Sequence, residues 1–243
     1  MSFLKIIKNN DIIELERYLR THDANEEVQG RSLLSWTVHL GNVEFTKLLI
    51  EKGASINQKD ELGRAPLSIA AFFGFVDIAR LLLQNKSQID TTAMDRAYFS
   101  FNGNVQTDIL DLFRGFNWIN IFLDDLREIP EGFVGARNIL EAIDLMEKNR
   151  VHIMSLDHDL GMDDKGNLLP TGYDLVKYVC ENGLRPADKI YLHTSNPVGR
   201  ENMYRTLLSS RKHGFIGDDI EIYHYPLTKI TYSNDLKGPY RNS

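Results

Sequence analysis

Gly30–Asn57, G-R-S-L-L-S-W-T-V-H-L-G-N-V-E-F-T-K-L-L-I-E-K-G-A-S-I-N, and Gly63–Asp90, G-R-A-P-L-S-I-A-A-F-F-G-F-V-D-I-A-R-L-L-L-Q-N-K-S-Q-I-D, are one pattern written twice, 33 residues apart. The copies agree at Gly30/Gly63, Arg31/Arg64, Leu34/Leu67, Ser35/Ser68, Gly41/Gly74, Val43/Val76, Leu48/Leu81, Leu49/Leu82 and Ile56/Ile89. Leu34, Val38 and Leu40 read as one short helix, and Gly41 breaks it. Phe45, Leu48 and Leu49 give a second helix its apolar stripe. One such pair cannot bury that stripe alone, so neighbouring units must stack on it. Residues 3–20 and 93–113 fit two degenerate copies at the ends, the second with Met94, Ala97 and Gly103 in register.

A period of 33 with this layout is similar to the ankyrin repeat. The resemblance covers about residues 1–114 and predicts an all-α ankyrin repeat domain over 1–115. It implies a surface for an unknown protein partner, or a structural support, and no chemistry. Trp36 and His39 read as packing residues.

From Asn117 the pattern changes. Trp118–Leu123 is a short β-rich run ending at Asp124-Asp125, and Phe133–Arg137 is a second strand candidate. Residues 138–149 carry Ile139, Leu140, Ile143 and Met146 at helical spacing. Val151–Leu156 is a third strand ending at Asp157-His158-Asp159; His152 within it reads as packed core. Thr171 is the expected cap of a helix over Gly172–Glu181. A strand over Lys189–His193, a helix over Arg200–Arg211 and a strand over Asp219–Tyr225 complete the pattern. Strands alternating with helices predict a three-layer parallel sheet with helices on both faces, over 117–243. Ligands of such sheets bind beyond the carboxyl ends of the strands. The three polar clusters, Asp124-Asp125, Asp157-His158-Asp159 and His193-Thr194-Ser195-Asn196, all fall on that rim.

Composition narrows the function. The chain has 243 residues and a net charge of −6, and neither half is basic, which argues against a broad nucleic-acid footprint. No apolar run reaches the roughly 18 residues needed to span a bilayer, and the first ten residues lack the apolar stretch of a signal peptide. Cys180 is the single cysteine, so an intrachain disulfide and a thiolate zinc cluster are both excluded. A buried, inert thiol in a reducing cytoplasm is the expected setting.

At the rim clusters the chain resembles response-regulator receiver domains, a flavodoxin-like fold with an acidic pair after strand one, an aspartate after strand three and Ser/Thr after strand four. It is more similar to the cyclic-phosphate processing receiver domain. The runs that carry this are F-L-D-D-L-R-E-I-P-E-G-F (Phe122–Phe133), S-L-D-H-D-L-G (Ser155–Gly161) and H-T-S-N-P-V-G-R-E-N-M (His193–Met203). Asp125–Gly132 is too short for the helix an ordinary receiver places there. Lys229 is offset from the position of the usual receiver lysine. Both departures point away from phosphorelay. The resemblance implies action on a cyclic phosphate, at an RNA end or in a cyclic nucleotide.

The residues suit that chemistry. Asp124, Asp125 and Asp157 are expected to supply oxygen ligands to Mg²⁺ or another divalent cation; a hydrogen-bonded acidic pocket is the alternative. Asp157, His158 and His193 are the expected catalytic residues, the imidazoles as acid and base; the alternative for each histidine is a sheet-end hydrogen bond to a carboxylate. Arg127, Asp159, Ser195, Asn196 and Arg200 are the expected substrate contacts, with Arg127 and Arg200 forked onto phosphate oxygens or else salt-bridged to the acids. Three functions compete: a metal-dependent phosphoesterase; a noncatalytic ankyrin interaction or immunity protein with a nucleotide-binding pseudo-receiver; and a receiver phosphorylated on Asp157.

Overall fold

A computed structural model of the chain describes residues 2–162 and 165–227. Lys229 lies outside the described residues. The chain divides into two compact units, the first ending at Leu112 and the second beginning at Phe113.

The first unit is a succession of helix–turn–helix units: α1 (Phe3–Lys8) and α2 (Ile12–Tyr18), α3 (Leu33–His39) and α4 (Val43–Glu51), α5 (Pro66–Phe73) and α6 (Val76–Gln84), α7 (Thr91–Tyr98) and α8 (Thr107–Arg114). A hairpin of β1 (Glu27–Val28) and β2 (Arg31–Ser32) precedes α3. The degenerate end copies therefore fold as the internal ones do. Leu34, Val38, Phe45, Leu49 and Leu67 are fully buried. Leu40 is exposed, because the helix stops at His39 and Leu40 is its C-cap. Gly41 and Gly74 follow the inner helices at φ +70° and +72°, where a side chain is strained. Side chains of Asp11, Ser32, Asn42 and Asp90 accept from backbone N–H groups in the first turns of α2, α3, α4 and α7. Each such cap contributes about 1 kcal/mol. The His39 ring packs edge-on to Trp36 and to Phe73, 5.2 Å from the latter.

The second unit is a five-stranded parallel sheet, β3 (Trp118–Leu123), β4 (Val134–Ala136), β5 (Arg150–Leu156), β6 (Lys189–Leu192) and β7 (Glu221–Tyr223), in the order β4-β3-β5-β6-β7. Three helices connect them: α9 (Ile139–Lys148), α10 (Gly172–Glu181) and α11 (Pro197–Lys212). The receiver-like α/β architecture is present, with one difference in layering. Right-handed crossovers from β4 to β5, β5 to β6 and β6 to β7 all step the same way across the sheet. So α9, α10 and α11 share one face and one core, which includes Ile121, Leu123, Met154, Leu156, Leu175, Val179, Ile190, Leu192, Met203 and Leu207. The helix that would open the other face belongs between β3 and β4, where the connection is too short to hold one. Asn120, Phe122, Ser155 and His193 lie on that second face by strand alternation.

The helix over 200–211 begins three residues before its expected start. Asn196 is the N-cap, accepting from Gly199 N–H, and Pro197 is the first helical residue. Its absent N–H has no helical partner to lose there. Thr171 and Asp174 form a reciprocal capping box at the start of α10. Cys180 is buried, and that burial pushes its thiol up, away from the reactive thiolate.

Candidate functional site

Asp124 follows β3 and begins a tight turn. Its Oδ1 accepts from the backbone N–H of Leu126 at 2.9 Å and of Arg127 at 2.6 Å. This is the aspartate turn that an Asp at a strand end favours. The turn brings the Arg127 guanidinium back over the acids, where Nη1 donates to Asp124 Oδ2 at 2.6 Å and to Asp157 Oδ2 at 3.0 Å. Arg137 fixes the turn from below by donating to the carbonyls of Asp124 and Arg127, both at 2.8 Å. The sequence offered no sign of Arg137; it is ten or more residues from either acceptor, and only the pairing of β3 with β4 brings it there.

Asp157 follows β5, which pairs directly with β3. Its Oδ1 accepts from His158 N–H at 2.7 Å. His193 follows β6 and reaches the same point, with Nε2 3.0 Å from Asp124 Oδ2. One ligand atom each from Asp124, Asp157 and His193 lies within 4.8 Å of the other two. Asp125 is placed elsewhere: its Oδ2 stands 2.6 Å from where a Cβ on Gly161 would be. His193 takes the third place in the group.

The environment sets the protonation of this group. Burial pushes the Asp124 carboxyl up, but hydrogen bonds from Arg127, Leu126 and His193 outweigh it and hold it below the usual carboxylate range. Burial holds His193 below the ordinary histidine value, against the pull of Asp124 and Asp157. Its ring is stacked on Phe122, centroids 4.4 Å apart. A neutral His193 beside an ionised Asp124 must carry its proton on Nε2, because a carboxylate only accepts. Nδ1 then accepts from the Ser155 hydroxyl, 2.8 Å away. Moving the proton to Nδ1, with Ser155 accepting, would free the Nε2 lone pair for a cation. Ser155, first residue of the S-L-D-H-D run, is therefore part of the site.

The remaining expected residues lie around this group. His158 Nδ1 is 2.8 Å from Asp159 Oδ1, which places the proton on Nδ1 and the lone pair on Nε2. The hydrogen bond from His158, with that from Asn196, holds the Asp159 carboxyl low against the smaller effect of burial. Asn196 Nδ2 donates to Asp159 Oδ2 at 3.2 Å. Ser195 is exposed, and Arg200 is half-buried in the first turns of α11.

Two glycines make room for the Asp157–His158 segment. A Cβ on Gly172 would stand 1.9 Å from the Asp157 carbonyl oxygen, and one on Gly199 would stand 2.2 Å from the His158 ring. Gly199 is helical, where alanine is otherwise preferred by about 1 kcal/mol. Gly199→Ala is therefore expected to destabilise, by about 1–3 kcal/mol, and to swing His158 off Asp159. A crystal structure of the variant that keeps the 2.8 Å contact, together with an unchanged unfolding midpoint, would contradict this.

Comparison with known proteins fits both halves of this description. Residues 4–95 match the family model "Ankyrin repeats (3 copies)", and residues 119–209 match "Cyclic-phosphate processing Receiver domain". The chain belongs to the ankyrin-repeat family and carries a cyclic-phosphate processing receiver domain in its second half. It is 36% identical over 137 residues to human protein phosphatase 1 regulatory subunit 27, covering 55% of this chain and 77% of that protein. The mouse counterpart is 33% identical over 112 residues, covering 45% and 68%. The ankyrin repeat domain of human ASB11 is similar at a TM-score of 0.42 and 19% identity, over 48% of this chain and 54% of that one. No helix among the described residues is long and apolar enough to cross a membrane.

Proposed function

We propose that the second unit is a divalent-cation-dependent phosphoesterase acting on a cyclic phosphate, and that the ankyrin unit binds a protein partner in the cytoplasm. The observation that carries the enzymatic reading is the convergence of Asp124, Asp157 and His193 within 4.8 Å, from three strand ends. Two carboxylate oxygens and an imidazole nitrogen suit Mg²⁺ or, with the nitrogen included, Mn²⁺. Bound there, a cation would polarise a phosphoryl oxygen and activate a water.

The chain's own residues supply the rest. Arg127 already spans both acids, and its forked head is suited to nonbridging phosphate oxygens when a cation takes over the carboxylates. His158, with its lone pair on Nε2, accepts the proton of the attacking water; as the imidazolium it returns a proton to the departing ribose oxygen. Asp159 and Asn196 hold that ring in place. Arg200 and the Ser195 hydroxyl are the remaining contacts of this reading for the phosphate or ribose.

The test is incubation of the full chain with 2′,3′-cyclic AMP and Mg²⁺ or Mn²⁺. Formation of a monophosphate product, stopped by EDTA, is the expected result. Unchanged substrate under all metal conditions would sink the enzymatic reading. It would favour a noncatalytic nucleotide-binding role, for which one observation speaks: Arg127 pairs with both Asp124 and Asp157. The relative named as a phosphatase 1 regulatory subunit supports a protein-binding role for the ankyrin unit under either reading.

A further inference from the structure

The two acids of the site each commit one oxygen to the backbone and the other to the same arginine. Asp124 Oδ1 accepts from the amides of Leu126 and Arg127, and Asp157 Oδ1 accepts from the amide of His158. The two Oδ2 atoms are both held by one nitrogen, Arg127 Nη1, at 2.6 Å from Asp124 and 3.0 Å from Asp157. His193 Nε2 stands 3.0 Å from the same Asp124 oxygen. These are the oxygens that no backbone amide claims, and so the ones open to a divalent cation. A cation bonded to them at about 2.1 Å and a guanidinium nitrogen cannot share that space, and two positive centres so close repel. Arg127 and the cation therefore compete for one pair of atoms.

Arg127 is placed to leave that pair and return to it. Its side chain is 45% exposed, whereas those of Asp124 and Asp157 are 1% and 10% exposed. The acids are enclosed, and the guanidinium borders solvent. The backbone of Arg127 has no need to move. Its N–H is held by Asp124 Oδ1, and its carbonyl accepts from Arg137 Nη1 at 2.8 Å. A displaced guanidinium thus swings from a fixed Cα and stays within a side-chain length of the acids. Off the carboxylates it is a charged fork in need of an anion, and phosphate oxygens match its geometry.

Building on the cyclic-phosphate reading above, we infer that Arg127 is an exchangeable internal cation that couples metal binding to phosphate binding at this site. When Arg127 yields the carboxylates to a cation, its guanidinium is freed for the phosphate. When it turns to a phosphate, the carboxylates are freed for the cation. Coupling of this kind is reciprocal, so each ligand tightens the other by the same factor. The affinity for either ligand alone is reduced by the fraction of molecules in which Arg127 is off the acids.

The experiment measures Mn²⁺ binding to the full chain from the paramagnetic resonance signal of the free ion, with and without inorganic phosphate. Phosphate binding is measured by equilibrium dialysis, with and without Mn²⁺. In the wild type each ligand is expected to tighten the other about tenfold. Arg127→Gln is expected to move the two in opposite directions: Mn²⁺ alone binds about tenfold more tightly, and phosphate binds more weakly, with the coupling reduced. Tighter metal binding alone would follow from removing any nearby positive charge; the loss of coupling would not. Mn²⁺ bound no more tightly by a folded Arg127→Gln, or coupling as large as in the wild type, overturns the inference. A crystal structure of the wild type with Mn²⁺ and phosphate tests it without a variant: Arg127 Nη1 on the phosphate supports it, and Arg127 Nη1 still on both Oδ2 atoms overturns it. Mn²⁺ binding that is lost in Asp124→Asn but indifferent to Arg127 keeps the metal site and removes the coupling. Mn²⁺ binding by neither wild type nor Arg127→Gln, at any phosphate concentration, removes both the coupling and the metal-dependent reading it rests on.

Discussion

Asp157→Asn is expected to lower turnover of a cyclic phosphate by on the order of 10³-fold while the protein stays folded. Asp157 gives both of its oxygens to the site, Oδ2 to Arg127 at 3.0 Å and Oδ1 to His158 N–H at 2.7 Å. Asparagine has one acceptor oxygen and one NH₂ group. Whichever way it turns, either the guanidinium or the amide meets a donor where it had an acceptor. The negative charge needed by a cation is lost as well. The structural cost is smaller, about 1–3 kcal/mol for one unsatisfied group, because β5 and α10 keep their backbone pairing. Product formation by chromatography and an unfolding curve measure the two effects separately. A variant that turns over substrate at the wild-type rate would remove Asp157 from the mechanism.

The largest stability effect is expected at the other end of the sheet. Asp188, just before β6, is buried and shared: Oδ2 faces His152 Nδ1 at 3.0 Å, and Oδ1 accepts from Arg185 at 2.8 Å and from Arg150 at 3.4 Å. His152 is fully buried, as its place inside a strand predicts. Asp188→Ala removes the one carboxylate that these three groups share, and is expected to cost about 3–5 kcal/mol. Asp188 also gives the unit an acid sensitivity of definite sign. Burial pushes its carboxyl up, but His152 and the arginines prevail and hold it below the usual range. Below the unfolded value, about 3.9, the unfolded chain binds the proton that the folded chain resists. The stabilisation is therefore complete above about pH 4 and is lost as pH falls through the folded value. Asp188→Asn should show a smaller drop in urea midpoint between pH 6 and pH 3 than wild type. An equal drop in the two proteins would place the acid sensitivity elsewhere.

The two halves of the chain were legible to different degrees. The 33-residue repeat specified helices, turns and buried stripe, because every contact it encodes is to a near neighbour at the same register. Leu40 departed from its expected place because helix ends are set by capping geometry, which periodicity does not see. The strand ends of the second half were equally plain, and with them the rim on which Asp124, Asp157 and His193 meet. What the local pattern could not distinguish was which of two adjacent aspartates turns inward. Asp125 and Asp124 are chemically the same, and it is Asp124 whose carboxylate the amides of Leu126 and Arg127 hold.

The sequence by itself thus determined a helical repeat array, a parallel α/β unit, and three acid- or imidazole-bearing strand ends, since these depend on periodicity and on residue type. The tertiary structure alone decided that His193 stands with Asp124 and Asp157, that Arg137 braces the turn, and that Ser155 meets the second nitrogen of the imidazole. Each of these rests on residues far apart in the chain, which only the ordering and crossover direction of the strands bring together.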